Sequence, residues 1–175
     1  MTLQKLTFVL GGAASGKSAL AERVVQATGK PKVYVATAQA FDDEMKQKIA
    51  AHQTSRGDGW ETIEEPFDLV GVLKDQNSTS VVLIDCLTLW LTNILLAERD
   101  LDAEFDQLLA ALQGRSCEMV LVSNEVGHGI VPDNALSRRF RAAQGRLNQM
   151  VAAEADTVLA VMAGLPIALK GDLPS

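Results

Sequence analysis

Four short apolar runs, at 6–10, 33–36, 81–85 and 119–123, are continuous rather than alternating, and they are rich in Val, Ile and Leu. Strands covered on both faces of a parallel sheet read this way. A fifth run lies at 158–162, and 167–169 is a candidate sixth. Segments with helical character separate them. Residues 17–28 lead into Gly29-Lys30-Pro31, a stop signal. Residues 42–52 open with Asp42-Asp43-Glu44, and acidic side chains suit the positive end of a helix. Residues 88–96 are apolar, 103–112 set Phe105, Leu108, Leu109 and Leu112 at helical spacing, and 134–155 form a long segment with one polar face. The alternation β-α-β-α-β-α-β-α-β predicts an α/β sandwich with a mostly parallel sheet and right-handed crossovers. Ligands of such folds gather at the carboxyl ends of the strands, so chemistry is sought just after each apolar run.

The first run passes directly into Gly11-Gly12-Ala13-Ala14-Ser15-Gly16-Lys17-Ser18, which fits G-x-x-x-x-G-K-[ST]. The glycines let the backbone fold tightly, so that successive N–H groups face phosphate oxygens, and the helix that follows adds its positive end. Lys17 reaches the β- and γ-phosphates of a nucleotide in such a loop, and Ser18 ligates Mg²⁺. The third run ends in Asp85, a Walker B arrangement whose carboxylate holds the water shell of Mg²⁺ or orients an attacking group. The bland reading of Asp85 is a cap for the 88–96 helix.

Composition narrows the classes. A chain of 175 residues and 18.7 kDa, 47% hydrophobic and 22% charged, is expected to be a single nucleotide-binding catalytic domain over 1–175. Sixteen Lys+Arg against 22 Asp+Glu give a formal charge of −6, which argues against nucleic-acid or anionic-membrane partners. No run is long enough for a membrane span, and 1–10 does not read as a signal peptide, so the expected location is the cytoplasm. Cys86 and Cys117 lie beside apolar runs and read as buried small hydrophobes; with two histidines widely spaced they match no zinc pattern.

Three further segments carry polar groups that a nucleotide enzyme could use. Met45, Ile49 and His52 share one helical face, which would bring the imidazole toward the sheet's edge; a packed or surface histidine fits the spacing as well. Ser123-Asn124-Glu125-Val126-Gly127-His128-Gly129-Ile130-Val131-Pro132 follows the fourth run, where ligands or a plain connection would sit. Arg138, Arg139, Arg141 and Arg146 line the long helix, as a phosphate site or as a solvated face. The residues alone leave a simple small-molecule kinase and an ATP-switch subunit open beside a covalent nucleotidyltransferase.

Taken together, the segments resemble the bifunctional adenosylcobinamide kinase / adenosylcobinamide-phosphate guanylyltransferase family of cobalamin synthesis. The matching pieces are GGAASGKS at 11–18, YVATAQ at 34–39, DDEMKQKIAAHQTSRGDGW at 42–60 and ETIEEP at 61–66. They continue with VVLIDCLTLWLTNIL at 81–95, VLVSNEVGHGIVP at 120–132 and RRFRAAQGRLNQMVAAEAD at 138–156. The resemblance runs in order over nearly the whole chain.

It implies a RecA-like P-loop NTPase fold and a homotrimer. It also implies two reactions: phosphorylation of the aminopropanol hydroxyl of adenosylcobinamide by ATP or GTP, then transfer of GMP from GTP to that phosphate. The second passes through a guanylylated histidine, and the family pattern lies here as Lys48-Ile49-Ala50-Ala51-His52-Gln53-Thr54-Ser55-Arg56, which makes His52 the expected nucleophile. A neutral imidazole is a competent nucleophile at phosphorus. By the same matching, Gly11, Gly12, Ala13, Ala14, Ser15, Gly16, Lys17, Ser18, Ala36, Thr37, Ala38, Gln53, Thr54, Ser55, Arg56, Glu64 and Asp85 line the nucleotide site, with Ser18 and Asp85 toward Mg²⁺. Glu64 is expected to accept from the guanine N1–H and amino group. The chain departs from the family's habit at Ala14, where many members carry Arg, at Asp85, often Glu, and at Ala38, commonly a hydroxyl residue.

Overall fold

The computed structural model describes residues 5–39 and 57–174. The expected helix at 42–52 lies outside them. Seven strands form one sheet: β1 (Leu6–Gly11), β2 (Lys32–Ala36), β3 (Trp60–Glu64), β4 (Val81–Asp85), β5 (Glu118–Asn124), β6 (Thr157–Met162) and β7 (Leu165–Lys170). Their order across the sheet is β3-β2-β4-β5-β1-β6-β7. Every neighbouring pair is parallel except β6 and β7, which form an antiparallel hairpin at one edge.

The described helices are α1 (Lys17–Ala27), α2 (Leu69–Lys74), α3 (Leu87–Leu96), α4 (Leu101–Gln113) and α5 (Ala135–Glu154). Several begin where a short polar side chain satisfies free N–H groups of the first turn. Asp68 accepts from Gly71 N, Asp100 from the amides of Asp102 and Ala103, and Asn134 from Ser137 N. The ends expected at Thr28, Asn134 and Ala155 are the caps of their helices rather than members.

Alternation along the strands divides the core into two layers. On one face Val9, Tyr34, Leu83, Val120, Val122, Leu159 and Val161 pack against Leu20, Ala21 and Val25 of α1. On the other, Phe8, Val35, Val82, Ile84, Met119 and Leu121 meet apolar residues of α2 to α5, including Leu73, Trp90, Leu91, Phe105, Leu108, Leu147 and Val151. All of these strands are covered on both faces, which is why their sequence is continuous rather than alternating. The edge strand β3, WETIE, has three exposed residues of five and was not expected from hydrophobicity; nor was the one-and-a-half-turn α2.

Candidate active site

β1 and α1 are joined by the loop 11–16, and contact requires the glycines at 11 and 16, whereas a Cβ on Gly12 would meet open space. A Cβ on Gly11 would press on Ser15 Oγ and stand 2.7 Å from the carbonyl oxygen of Val161. Gly16 takes φ +94°, and a Cβ there would meet Gly164 Cα at 3.1 Å. Behind the loop, Gly164 N donates to Ser15 O at 2.9 Å, so the β6–β7 turn braces it. Lys17 is buried at 9% exposure, and its Nζ donates to Gly12 O at 3.0 Å. The loop therefore gathers backbone amides, the positive end of α1 and a buried ammonium at one spot, which is what a polyphosphate requires.

Asp85 ends β4 on the same face. Tyr34 OH donates to its Oδ2 at 3.2 Å. It does not cap α3: the cap residue is Cys86, and no side chain bonds the cap. The turn after β2 is locked to this position. Thr37 is fully buried, its Oγ1 donates to Cys86 O at 2.7 Å and accepts from Cys86 N at 2.9 Å, and Asn93 Nδ2 donates to Thr37 O at 2.8 Å. Burial, reinforced by the Asp85 charge, pushes the Cys86 thiol up to about 11, and burial likewise raises Cys117; both are free and buried, as expected.

A buried polar cluster secures the end of β5 from the opposite face. Ser123 Oγ donates to Asn148 Oδ1 at 2.7 Å, Gln144 Nε2 donates to Ser123 Oγ at 2.9 Å, and Asn148 Nδ2 donates to Asn124 O at 3.1 Å. The arginines of α5 bond to its surroundings. Arg138 Nη1 donates to the carbonyls of Pro132 and Asp133, Arg141 to that of Gly127, and Arg146 pairs with Asp102 over the Phe105 ring, while Arg139 is exposed. Arg138 and Arg141 clamp the 125–133 loop to the helix. His128 in that loop is exposed.

Of the expected residues, 11–18, Ala36–Ala38 and Asp85 converge on the carboxyl edge of the sheet. Register aligns Glu64, Ala36 and Asp85 across β3, β2 and β4. Glu64 is exposed, however, and β3 stands four strands from β1, roughly 19 Å at the usual spacing. It marks the far end of that edge. His52, Gln53, Thr54, Ser55 and Arg56 lie outside the described residues. Sequence reasoning missed Tyr34, Asn93 and the Ser123–Gln144–Asn148 cluster. The last had a signal: Gln144 and Asn148 lie four apart on a helix, in line with the apolar positions Phe140, Leu147 and Val151. Among the described residues no group of three or more His, Cys, Asp or Glu side chains is placed to hold a metal, and no helix is long and apolar enough to cross a membrane.

Comparison with known proteins adds to this geometry. A family model for cobinamide kinase / cobinamide phosphate guanyltransferase matches residues 7–169. The chain is 46% identical over 167 residues to the bifunctional adenosylcobalamin biosynthesis protein CobP of Pseudomonas aeruginosa, covering 94% of this chain and 96% of that one. It is 38% identical over 181 residues to the corresponding CobU protein of Escherichia coli, covering 94% and 99%. Among solved structures, an ATPase of the type III secretion system of pathogenic bacteria superposes with a TM-score of 0.56 at 12% identity, over 94% of this chain and 56% of that one. A protein of Pyrococcus horikoshii OT3 gives 0.57 at 9% identity, over 99% and 89%. These two bear on the fold alone.

Proposed function

The chain belongs to the cobinamide kinase / cobinamide phosphate guanyltransferase family, and we propose that it carries out both reactions as one catalytic domain acting on adenosylcobinamide. The observation that carries the reading is the phosphate loop: a buried lysine, crowded glycines at 11 and 16, and a strand-end carboxylate on the same sheet edge.

In the first reaction the aminopropanol hydroxyl attacks the γ-phosphorus of ATP or GTP. The bond to the β,γ-bridging oxygen breaks, the diphosphate leaves with the electron pair, and the hydroxyl proton goes to water. Lys17 and the amides of 12–18 hold the phosphate oxygens as charge redistributes. Mg²⁺ bound by a nucleotide kinase keeps most of its waters and takes one or two protein oxygens. Ser18, in the first turn of α1, and Asp85, oriented by Tyr34, fit that sparse donor set. When bound, the ion neutralises phosphate charge.

In the second reaction the imidazole of His52 attacks the α-phosphorus of GTP and pyrophosphate leaves. The phosphate of adenosylcobinamide phosphate then displaces the imidazole, giving adenosylcobinamide-GDP. Gln53, Thr54, Ser55, Arg56, Ala36, Thr37 and Ala38 complete the guanine-nucleotide site, and Glu64 accepts from the guanine edge. The enzyme works in the cytoplasm as a homotrimer. In support of an oligomer, β7 leaves Leu165, Ile167 and Leu169 more than half exposed on one face of an edge strand, a surface that monomers rarely present.

The test is conversion of adenosylcobinamide with ATP, GTP and Mg²⁺. Chromatography is expected to show adenosylcobinamide phosphate first, then adenosylcobinamide-GDP with an equivalent of pyrophosphate. Phosphate product alone would reduce the reading to a simple kinase, and neither product would overturn it.

A further inference from the structure

One side-chain nitrogen joins the two segments that β2 and β3 send past the carboxyl edge of the sheet. Asn93 Nδ2 donates to Thr37 O at 2.8 Å and to Pro66 O at 3.0 Å. Thr37 follows β2, and Pro66 lies two residues beyond Glu64, the end of β3. Asn93 is the one side-chain amide of α3, LTLWLTNILL, and it is buried at 5% exposure. A buried amide without partners is costly, and here each N–H of the carboxamide has a carbonyl of its own.

α3 starts beside Asp85. Its cap residue is Cys86, whose N–H donates to Thr37 Oγ1 at 2.9 Å and whose carbonyl accepts from it at 2.7 Å. Thr37 is fully buried, so its hydroxyl ties protein to protein rather than facing solvent. Three residues before Asn93, Trp90 Nε1 donates to Phe67 O at 2.9 Å, a second grip on the segment after β3. Glu65 N donates to Ala36 O at 2.9 Å, which joins the two segments directly. The helix thus fixes the spacing between Asp85, in the phosphate half of the sheet edge, and the far end of that edge at Glu64.

We propose that Asn93 is a positioning residue for guanine selection. It holds the segment that bears Glu64 in place against the segment after β2, so that a nucleotide anchored by its phosphates at 11–18 meets the Glu64 carboxylate with the edge of its base. This rests on the reading of Glu64 as the acceptor from the guanine N1–H and amino group. A ligand gripped at both ends is discriminated at one end only while the two grips keep their spacing, and a displacement of about 1 Å is enough to lose a hydrogen bond. The phosphate grip is built on β1 and α1, apart from the Asn93 bonds. Loss of Asn93 therefore affects guanine recognition more than phosphoryl transfer from ATP.

The test compares the full chain with its Asn93→Leu, Asn93→Ala and Glu64→Ala variants. Measured are the rates of α-phosphate label uptake from GTP and from ITP, whose base lacks the amino group, and the rate of adenosylcobinamide phosphorylation by ATP. The parent is expected to prefer GTP over ITP roughly tenfold or more, as one hydrogen bond to a charged group implies. Asn93→Leu keeps the side-chain volume and removes both donors. Its preference is expected to shrink to within about twofold, and its label uptake from GTP to fall roughly ten times further than its ATP-driven rate. Asn93→Ala removes the same donors and is expected to behave alike; it decides the matter if the leucine variant does not fold. A preference for GTP held at the parent's value overturns the proposal. Equal losses of label uptake and ATP-driven phosphorylation in both variants overturn it too, since they mark a structural part only. If the parent shows no preference, or Glu64→Ala keeps it, the guanine reading of Glu64 falls and this proposal with it. If Glu64→Ala loses the preference while both Asn93 variants keep it, only the Asn93 role falls.

Discussion

The Tyr34 hydroxyl reaches diagonally across the β2–β4 pair to Oδ2 of Asp85, 3.2 Å away, although its direct register partner is Leu83. Its ring is buried and meets Trp60 edge-on at a centroid distance of 6.1 Å, so the phenol is held from both ends. The strand-end carboxylate consequently presents one oxygen in a set direction. Tyr34→Phe keeps the ring packing and removes the bond. It is expected to cost about 1 kcal/mol of stability, which lowers the melting temperature by roughly 2–4 °C. The kinase rate is expected to drop several-fold with more Mg²⁺ needed for half-maximal activity. Calorimetric melting and a Mg²⁺ titration of the rate check this; an unchanged titration would show that Asp85 needs no orienting partner.

Lys17 is buried with Gly12 O as its protein partner. A charge-assisted contact to phosphate in so confined a place is expected to dominate nucleotide binding. Lys17→Ala is expected to weaken GTP affinity and to reduce both reactions by about 100-fold or more. Direct binding and turnover assays decide it, and wild-type values would remove 11–18 from the site.

The two histidines separate the kinase from the guanylyltransferase. With GTP labelled in its α-phosphate, the chain is expected to take up acid-labile, alkali-stable label. His52→Ala is expected to abolish the label and the second reaction while sparing phosphorylation of adenosylcobinamide. His128, exposed in its loop, is expected to be dispensable for the label. Label that survives in His52→Ala and vanishes in His128→Ala would transfer the nucleophile's role to His128.

Cys86 governs a pH effect. Its thiol is held up to about 11 in the fold, against 9.0 for the free group. Below pH 9 both folded and unfolded chains keep the proton, so the stability is fully present. Between pH 9 and 11 the unfolded chain gives up its proton while the folded one keeps it, so stability falls as pH rises through that window. Denaturant midpoints from pH 8 to 11 are expected to decline from pH 9 upward, more steeply in the parent than in Cys86→Ala. Iodoacetamide at pH 8 is expected to leave both cysteines unmodified until the chain is unfolded.

The parallel sheet was legible because strands covered on both faces have no polar positions to break the run. β3 was not, because Trp60, Glu61, Thr62, Ile63 and Glu64 form an edge whose membership depends on backbone pairing with β2. The phosphate loop was legible because backbone geometry there demands particular residues. Tyr34 and Asn93 were not, since their roles arise from partners 51 and 56 positions away in sequence. Asn124 stood within a segment noticed for its polar character, but which face of β5 it occupies becomes readable only when the layers on both sides are known.

The brace between Gly164 and Ser15 has a bearing on how the molecule is made. β1 precedes every other described strand, yet its neighbours in the sheet are β5 and β6, residues 118–124 and 157–162. During translation, β1 and the loop after it must remain without sheet partners until those late segments have left the ribosome, and the turn at Gly164 arrives later still. Nucleotide capture by the loop therefore waits until β5, β6 and the Gly164 turn have all been made. Ligand present at that moment would favour the finished fold and no earlier one.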